Sequence, residues 1–116
     1  MKVADLKPYA KKIEVIVKVL NRNDEREVTS KLDDSTHRVT EVLIGDDSGT
    51  VFLTLWDDTI EKFEVGKSYI INNGYISMFR SSLRLNIGRY GEFKEAETAV
   101  EKVDESNNLS EKEFEN

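Results

Sequence analysis

The chain has 116 residues, enough for one domain with a modest core, and carries a net charge of −6. It contains no cysteine and one histidine, His37, which leaves no disulfide framework, no thiol nucleophile and no histidine-rich metal site. No apolar run approaches the roughly 18–20 residues that span a bilayer, and the N-terminus lacks a continuous apolar signal core, so a soluble cytoplasmic protein is expected.

Residues 1–12 are a polar lead-in in which Val3, Leu6 and Tyr9 are spaced to cap one end of a barrel. Residues 13–20 alternate, with Ile13, Val15, Val17 and Val19 on one face, which is the period of a half-buried strand. Residues 21–36 are charged and predict a loop or a protruding strand end. A second strand is predicted over 37–44, then a dense turn signal at Gly45-Asp46-Asp47-Ser48-Gly49. The third strand, 50–56, places Val51, Leu53 and Leu55 inward and Phe52, Thr54 and Trp56 outward, so these two strands read as a hairpin.

Asp57-Asp58-Thr59 opens a short helical segment, with acids at the end the helix dipole favours. Ile60 and Phe63 lie one turn apart and would plug the barrel, and Gly66 ends the segment. The fourth strand is predicted over 67–72, with a bend at Asn73-Gly74 before it resumes from Tyr75 to Met78. A one-residue register shift at that bend decides whether Tyr75 faces in or out. After a turn at Phe79-Arg80-Ser81-Ser82, the fifth strand, 83–87, puts Leu83, Leu85 and Ile87 inward and Arg84 and Asn86 outward.

Charge is unevenly spread. Residues 92–116 hold nine acidic groups and three lysines, so they carry the whole excess, and residues 1–91 balance. The expected division is a barrel domain over 1–96 and an acidic tail over 97–116. That tail is too poor in apolar residues to offset the entropy of ordering, with at most a weak helix near Ala96–Val103. Leu109 and Phe114 among its glutamates leave open a solubilising end, a docking peptide for replication or repair proteins, or a DNA mimic.

Trp56, Tyr75 and Phe79 fall at strand ends or turns, with Arg80, Arg84 and Arg89 close by. Aromatics interleaved with cations suit unpaired nucleic acid, because every base has a π-face and every nucleotide a negative charge. Phe52 is either a further platform or cover for the terminal segment. Asp46 and Asp47 read as turn residues, and Asp57 and Asp58 as the start of the helix. No nucleophile–base pair or ligand spacing supports catalysis, so neither enzymatic activity nor a metal or cofactor is expected.

Five strands with a helix between the third and fourth give the order of an OB-fold, an all-β Greek-key barrel with a small helical element. Ile44-Gly45-Asp46-Asp47-Ser48-Gly49, then Val51 and Leu53-Thr54-Leu55-Trp56, resembles the strand two–three hairpin of archaeal single-stranded-DNA-binding proteins. That family is related to replication protein A and to the short human single-strand binders. Val65-Gly66-Lys67, Asn73-Gly74-Tyr75, Phe79, Leu83, Leu85, Asn86 and Gly88 extend the resemblance over roughly residues 5–92. It implies base stacking on Trp56, Tyr75 and Phe79 and phosphate contacts from Arg26, Lys31 and Arg38. Arg80, Arg84 and Asn86 join them by their position beside the aromatics. The expected function is binding of single-stranded DNA with little sequence preference, in replication, recombination or repair, by a monomer or one unit of a larger OB assembly, nucleoid-associated in the cytoplasm. A protein-interaction module of a replication protein A-like complex, or an RNA or tRNA binder, is the alternative on the same fold.

Overall fold

The structure is a computed structural model and describes residues 1–111. Strand β1 (Ile13–Arg22) shows why a barrel forms: Ile13, Val15, Val17 and Val19 are each at most 1% exposed, while Glu14 and Ile16 on the opposite face are exposed. The following charged stretch is not only a loop. It forms β2 (Arg26–Thr29), which pairs antiparallel with the first residues of β3 (Thr36–Asp46) as a hairpin projecting from the barrel. β4 (Gly49–Trp56) returns along β3, with Asp47 and Ser48 between them. Asp46 is buried in this turn; its carboxylate accepts from the Ser48 amide at 2.9 Å and from the Val3 amide at 3.0 Å.

β5 (Ser68–Phe79) is one long strand through the expected bend, followed by β6 (Ser82–Asn86) and the short β7 (Glu92–Glu95). β1 pairs with β3, β3 with β4, β4 in parallel with β6, β6 with β5, and β5 back with β1. This is the closed Greek-key order expected of the OB-fold, and closure covers most of the edges of its five core strands. β7 lies along the start of β5 and brings Phe93 against Phe63, ring centroids 4.6 Å apart.

Between β4 and β5 the chain makes a 3-10 turn, Asp57–Lys62, rather than an α-helix. Six residues give an α-helix little beyond its costly nucleus, and Asp57 is not free to cap one. Its carboxylate accepts from the Arg38 amide at 3.0 Å and meets His37 Nδ1 at 2.8 Å. Ile60 and Phe63 are buried as the expected plug. At the N-terminus Val3 and Leu6 close the barrel, but Tyr9 does not join them: it is 59% exposed, on a residue with φ of 62°.

The segment expected to be a free tail from residue 97 is instead seated on the barrel as far as Ser110, and contains no helix. Val100 N donates to Ser68 Oγ, Asp104 N to Asp46 O, and Thr50 N to Asn107 O, each at 2.9 Å. Leu109 N donates to Thr50 O at 2.8 Å, and its side chain is buried in the core. Ser110 Oγ donates to Leu83 O at 2.5 Å and accepts from Phe52 N at 2.8 Å. The strap takes the edge of β4 ahead of the point where β6 joins it, in a parallel bridge between Thr50 and Asn108. Gly49 is required there, since a Cβ on it would come within 2.7 Å of Asn107 O. Readings that rest on Phe114 and the last glutamates lie outside the described residues.

Leu109→Ala should therefore destabilise the whole domain by about 2–4 kcal/mol, within the range for buried leucines. Chemical unfolding measures it; a loss below about 0.5 kcal/mol, the level of a neutral surface change, would show the strap to be dispensable.

Candidate nucleic-acid interface

The outward faces of β4, β6 and β5 form a continuous surface. Thr54, Asn86 and Tyr75 lie in one row across it, and Phe52, Arg84 and Ser77 in the next. Adjacent strands are about 4.8 Å apart, so Thr54 and Tyr75 stand about 10 Å from each other. Trp56, Tyr75 and Phe79 are 46%, 42% and 57% exposed.

Each aromatic has its own local cause. Trp56 faces out because Leu53 and Leu55 face in. Tyr75 faces out because of a β-bulge: Val15 pairs with Ile71 but Ile13 pairs with Gly74, so β5 spends one residue more than β1. Asn73 takes up the extra residue at φ 56°. Tyr69 and Ile71 point inward before it, and Gly74 and Ile76 after it. Gly88 (φ 74°) lies directly under the Tyr75 ring, where a Cβ would come within 2.6 Å of Cε1. Phe79 precedes a two-residue turn in which Arg80 and Ser81 both have positive φ, 50° and 67°, the pattern of a type I′ hairpin.

Trp56 and Tyr75 border a hollow of about 340 Å³ that also takes in Thr54, Asn86 and Phe93 and has no charged side chain in its wall. Beside it, around Phe79 and the other side of Trp56, lies a hollow of about 250 Å³ containing Arg26, Glu41 and Arg84. Arg84 is the distinctive cation. Its guanidinium lies over the Phe52 ring at 4.9 Å and 5.9 Å from the Phe79 centroid. Its Nη1 is buried and meets no hydrogen-bond partner among the described residues. Burial pushes its pKa below the ordinary arginine value, while the nearby Glu41 carboxylate pushes it back up. A half-buried cation with one buried, unused donor gains when an anion arrives. Phe52 is thus the half-buried shelf beneath Arg84, with its amide held by Ser110.

The remaining expected contacts divide. Arg80 lies over the Phe79 ring at 5.4 Å. Asn86 Nδ2 donates to Ser77 Oγ at 2.9 Å and to Arg84 O at 3.2 Å, which fixes it in the middle row. Arg26 reaches the second hollow but is paired with Glu41 at 3.1 Å. Arg38 stands apart from the other expected contacts. It lines neither hollow and is held by Glu61 at 2.5 Å, Glu25 at 3.3 Å and Asp58 at 3.9 Å. The Glu61 hydrogen bond raises its pKa and holds the Glu61 carboxyl below the usual carboxylate range. Lys31 lies in the exposed turn between β2 and β3, outside both hollows. Sequence reasoning missed Val28, Val39, Ser77 and Met78 in the wall of the second hollow, since only tertiary pairing brings them together.

Known proteins resemble this chain in sequence and fold. Residues 6–95 match a family described as single-stranded DNA binding protein Ssb-like, OB fold. The chain is 30% identical over 95 residues to the single-stranded DNA binding protein Ssb of Saccharolobus solfataricus, covering 82% of this chain and 63% of that protein's length. The solution structure of a hypothetical protein from Arabidopsis thaliana superposes with a TM-score of 0.84 at 31% identity, covering 100% of this chain and 86% of that one. The second OB-fold domain of replication protein A from Methanococcus maripaludis shares the fold, with a TM-score of 0.66 at 20% identity over 87% of this chain and 98% of that one. With its barrel order and the match across residues 6–95, the chain belongs to the Ssb-like OB-fold family of single-stranded-DNA-binding proteins.

Proposed function

We propose that the β4–β6–β5 face binds single-stranded DNA with little sequence preference, in replication, recombination or repair. The observation that carries this reading is the uncharged hollow between Trp56 and Tyr75 with the underused guanidinium of Arg84 next to it. Bases stack on Trp56, Tyr75 and Phe79, each worth about 1–3 kcal/mol. Arg84 and Arg80 take phosphates, and Arg26 does so in exchange for Glu41. Lys31 is within reach only of a strand that continues along the β2–β3 hairpin, and Arg38 is left out because its carboxylate partners already satisfy it. The polar side chains of the central hollow, chiefly Thr54, Thr59 and Asn86, are uncharged, and stacking itself needs no base code. The reading implies a cytoplasmic, nucleoid-associated protein, acting alone or as one unit of a larger OB assembly.

Trp56 is the only tryptophan, so it reports directly. Oligo-dT of about a dozen nucleotides, inside the range one OB fold covers, should quench its fluorescence saturably, and duplex DNA should not. The affinity should fall with salt, by about 0.7 in log–log slope per phosphate neutralised on a single strand. Unchanged fluorescence despite binding by an independent signal would refute stacking on Trp56. Equal competition by matched RNA would widen the ligand class to single strands in general.

Trp56→Ala should weaken binding by about 5- to 150-fold, the equivalent of one stacked base, with little change in melting temperature because the ring is exposed. Gly88→Ala should displace Tyr75 and weaken binding while Trp56 still responds. If Gly88→Ala binds as the parent does, Tyr75 has no part in the site.

A further inference from the structure

A third hollow, of about 350 Å³, adjoins the central one and shares Tyr75, Ile87 and Gly88 with it. Its far wall is the Lys11–Lys12 segment on one side and Arg89 and Tyr90 on the other. We infer that this hollow is a further subsite for the same single strand, seating a base on Tyr90 and the phosphates around it on Lys11, Lys12 and Arg89. The inference rests on the proposed binding of single strands and extends that site past Tyr75, away from Phe79.

Charge is the first argument. The wall holds three cations and no carboxylate, in a chain whose net charge is −6. Four other cations are already engaged among the described residues: Lys2 with Asp47, Arg26 with Glu41, Arg38 with Glu61, and Lys67 with Glu64. Among the described residues, Lys11, Lys12 and Arg89 have no ion-pair partner, and the only partner of the Arg89 guanidinium is the Tyr90 ring at 5.7 Å. Like charges held together without a counter-charge repel, and a phosphate relieves that repulsion.

Shape is the second. Tyr90 is 76% exposed, a large ring left in solvent on a loop tied to β5 by a hydrogen bond. Asn73 Nδ2, from the bulge that turned Tyr75 outward, donates to Tyr90 O at 3.2 Å. On the other wall, Ile76 N donates to Ala10 O at 2.8 Å and pins the chain beside the two lysines to β5. Both walls are therefore fastened to β5 on either side of Tyr75. Taken along β5, the aromatic series from Phe79 past Tyr75 to Asn73 covers about 20 Å at roughly 3.3 Å per residue. The order of charge along it is cationic, neutral, cationic, which suits bases in the middle and phosphates at the ends.

The test compares oligo-dT of about 4 nucleotides with one of about 10, both within the range one OB fold covers, by fluorescence anisotropy at fixed salt. The parent protein should gain affinity with length. Tyr90→Ala should keep parental affinity for the short strand and lose about fivefold or more for the long one, the lower bound of one stacking contact. The triple variant Lys11→Gln, Lys12→Gln, Arg89→Gln should lose most of the length-dependent gain and lower the salt slope by about 2, at roughly 0.7 per phosphate. If both variants match the parent on the long strand while Trp56→Ala weakens it, the subsite is absent and the main site stands. Equal losses on short and long strands would also overturn the subsite, leaving a general electrostatic attraction. If the parent binds neither strand, the proposed function itself fails.

Discussion

The bulge at Asn72 and Asn73 governs the direction of every side chain beyond it in β5. Without the extra residue, the alternation that buries Tyr69 and Ile71 would carry Tyr75 into the core and expose Ile76. With it, β5 closes the barrel against β1 in its first half and presents an aromatic face with β6 in its second. The same bulge supplies the Asn73 side chain that holds the Tyr90 loop. A single backbone irregularity thus joins closure of the core to exposure of the site, in keeping with the use of bulges to re-aim side chains beside functional surfaces.

Ion pairing then engages a few of the cations and leaves others open. Arg38 is drawn to the 3-10 turn by Glu61 and Asp58, where it tightens the connection that follows Trp56. Arg84 has an aromatic shelf instead of a carboxylate partner, and its buried Nη1 is left unsatisfied. Surface pairs such as Lys2–Asp47 add little to stability on their own, but they remove charge from competition for phosphate. A chain that is acidic overall can in this way keep one face attractive to an anion.

Much of the barrel was legible because its causes are local. The inward set Ile13, Val15, Val17 and Val19, the Gly45–Gly49 hairpin and the outward Trp56 all follow from period-2 alternation and turn chemistry. Tyr75 could not be assigned a face, because Asn73-Gly74 is compatible with two registers and pairing with β1 selects between them. The C-terminal strap was misread for a related reason. Its attachment uses Asn107, Ser110 and main-chain groups against the edge of β4, with Leu109 as the buried anchor. Such non-local hydrogen bonds leave no periodic signal, and composition averaged over the segment points to disorder. The ion pairs of Arg38 were equally illegible, because Glu25, Asp58 and Glu61 come from other elements.

The central claim is that one face, oriented by the β5 bulge, takes up a single strand. Amide and indole chemical-shift mapping by NMR, with an unlabelled oligo-dT of about ten nucleotides, within the span of one OB fold, tests it most directly. The account predicts the largest shifts at the Trp56 indole, at Tyr75, Phe79 and Arg84, and at Gly88 to Tyr90, with Arg38, Glu61 and the strap little changed. Shifts centred on Arg38 or on the strap, with the Trp56 indole unmoved, would contradict it.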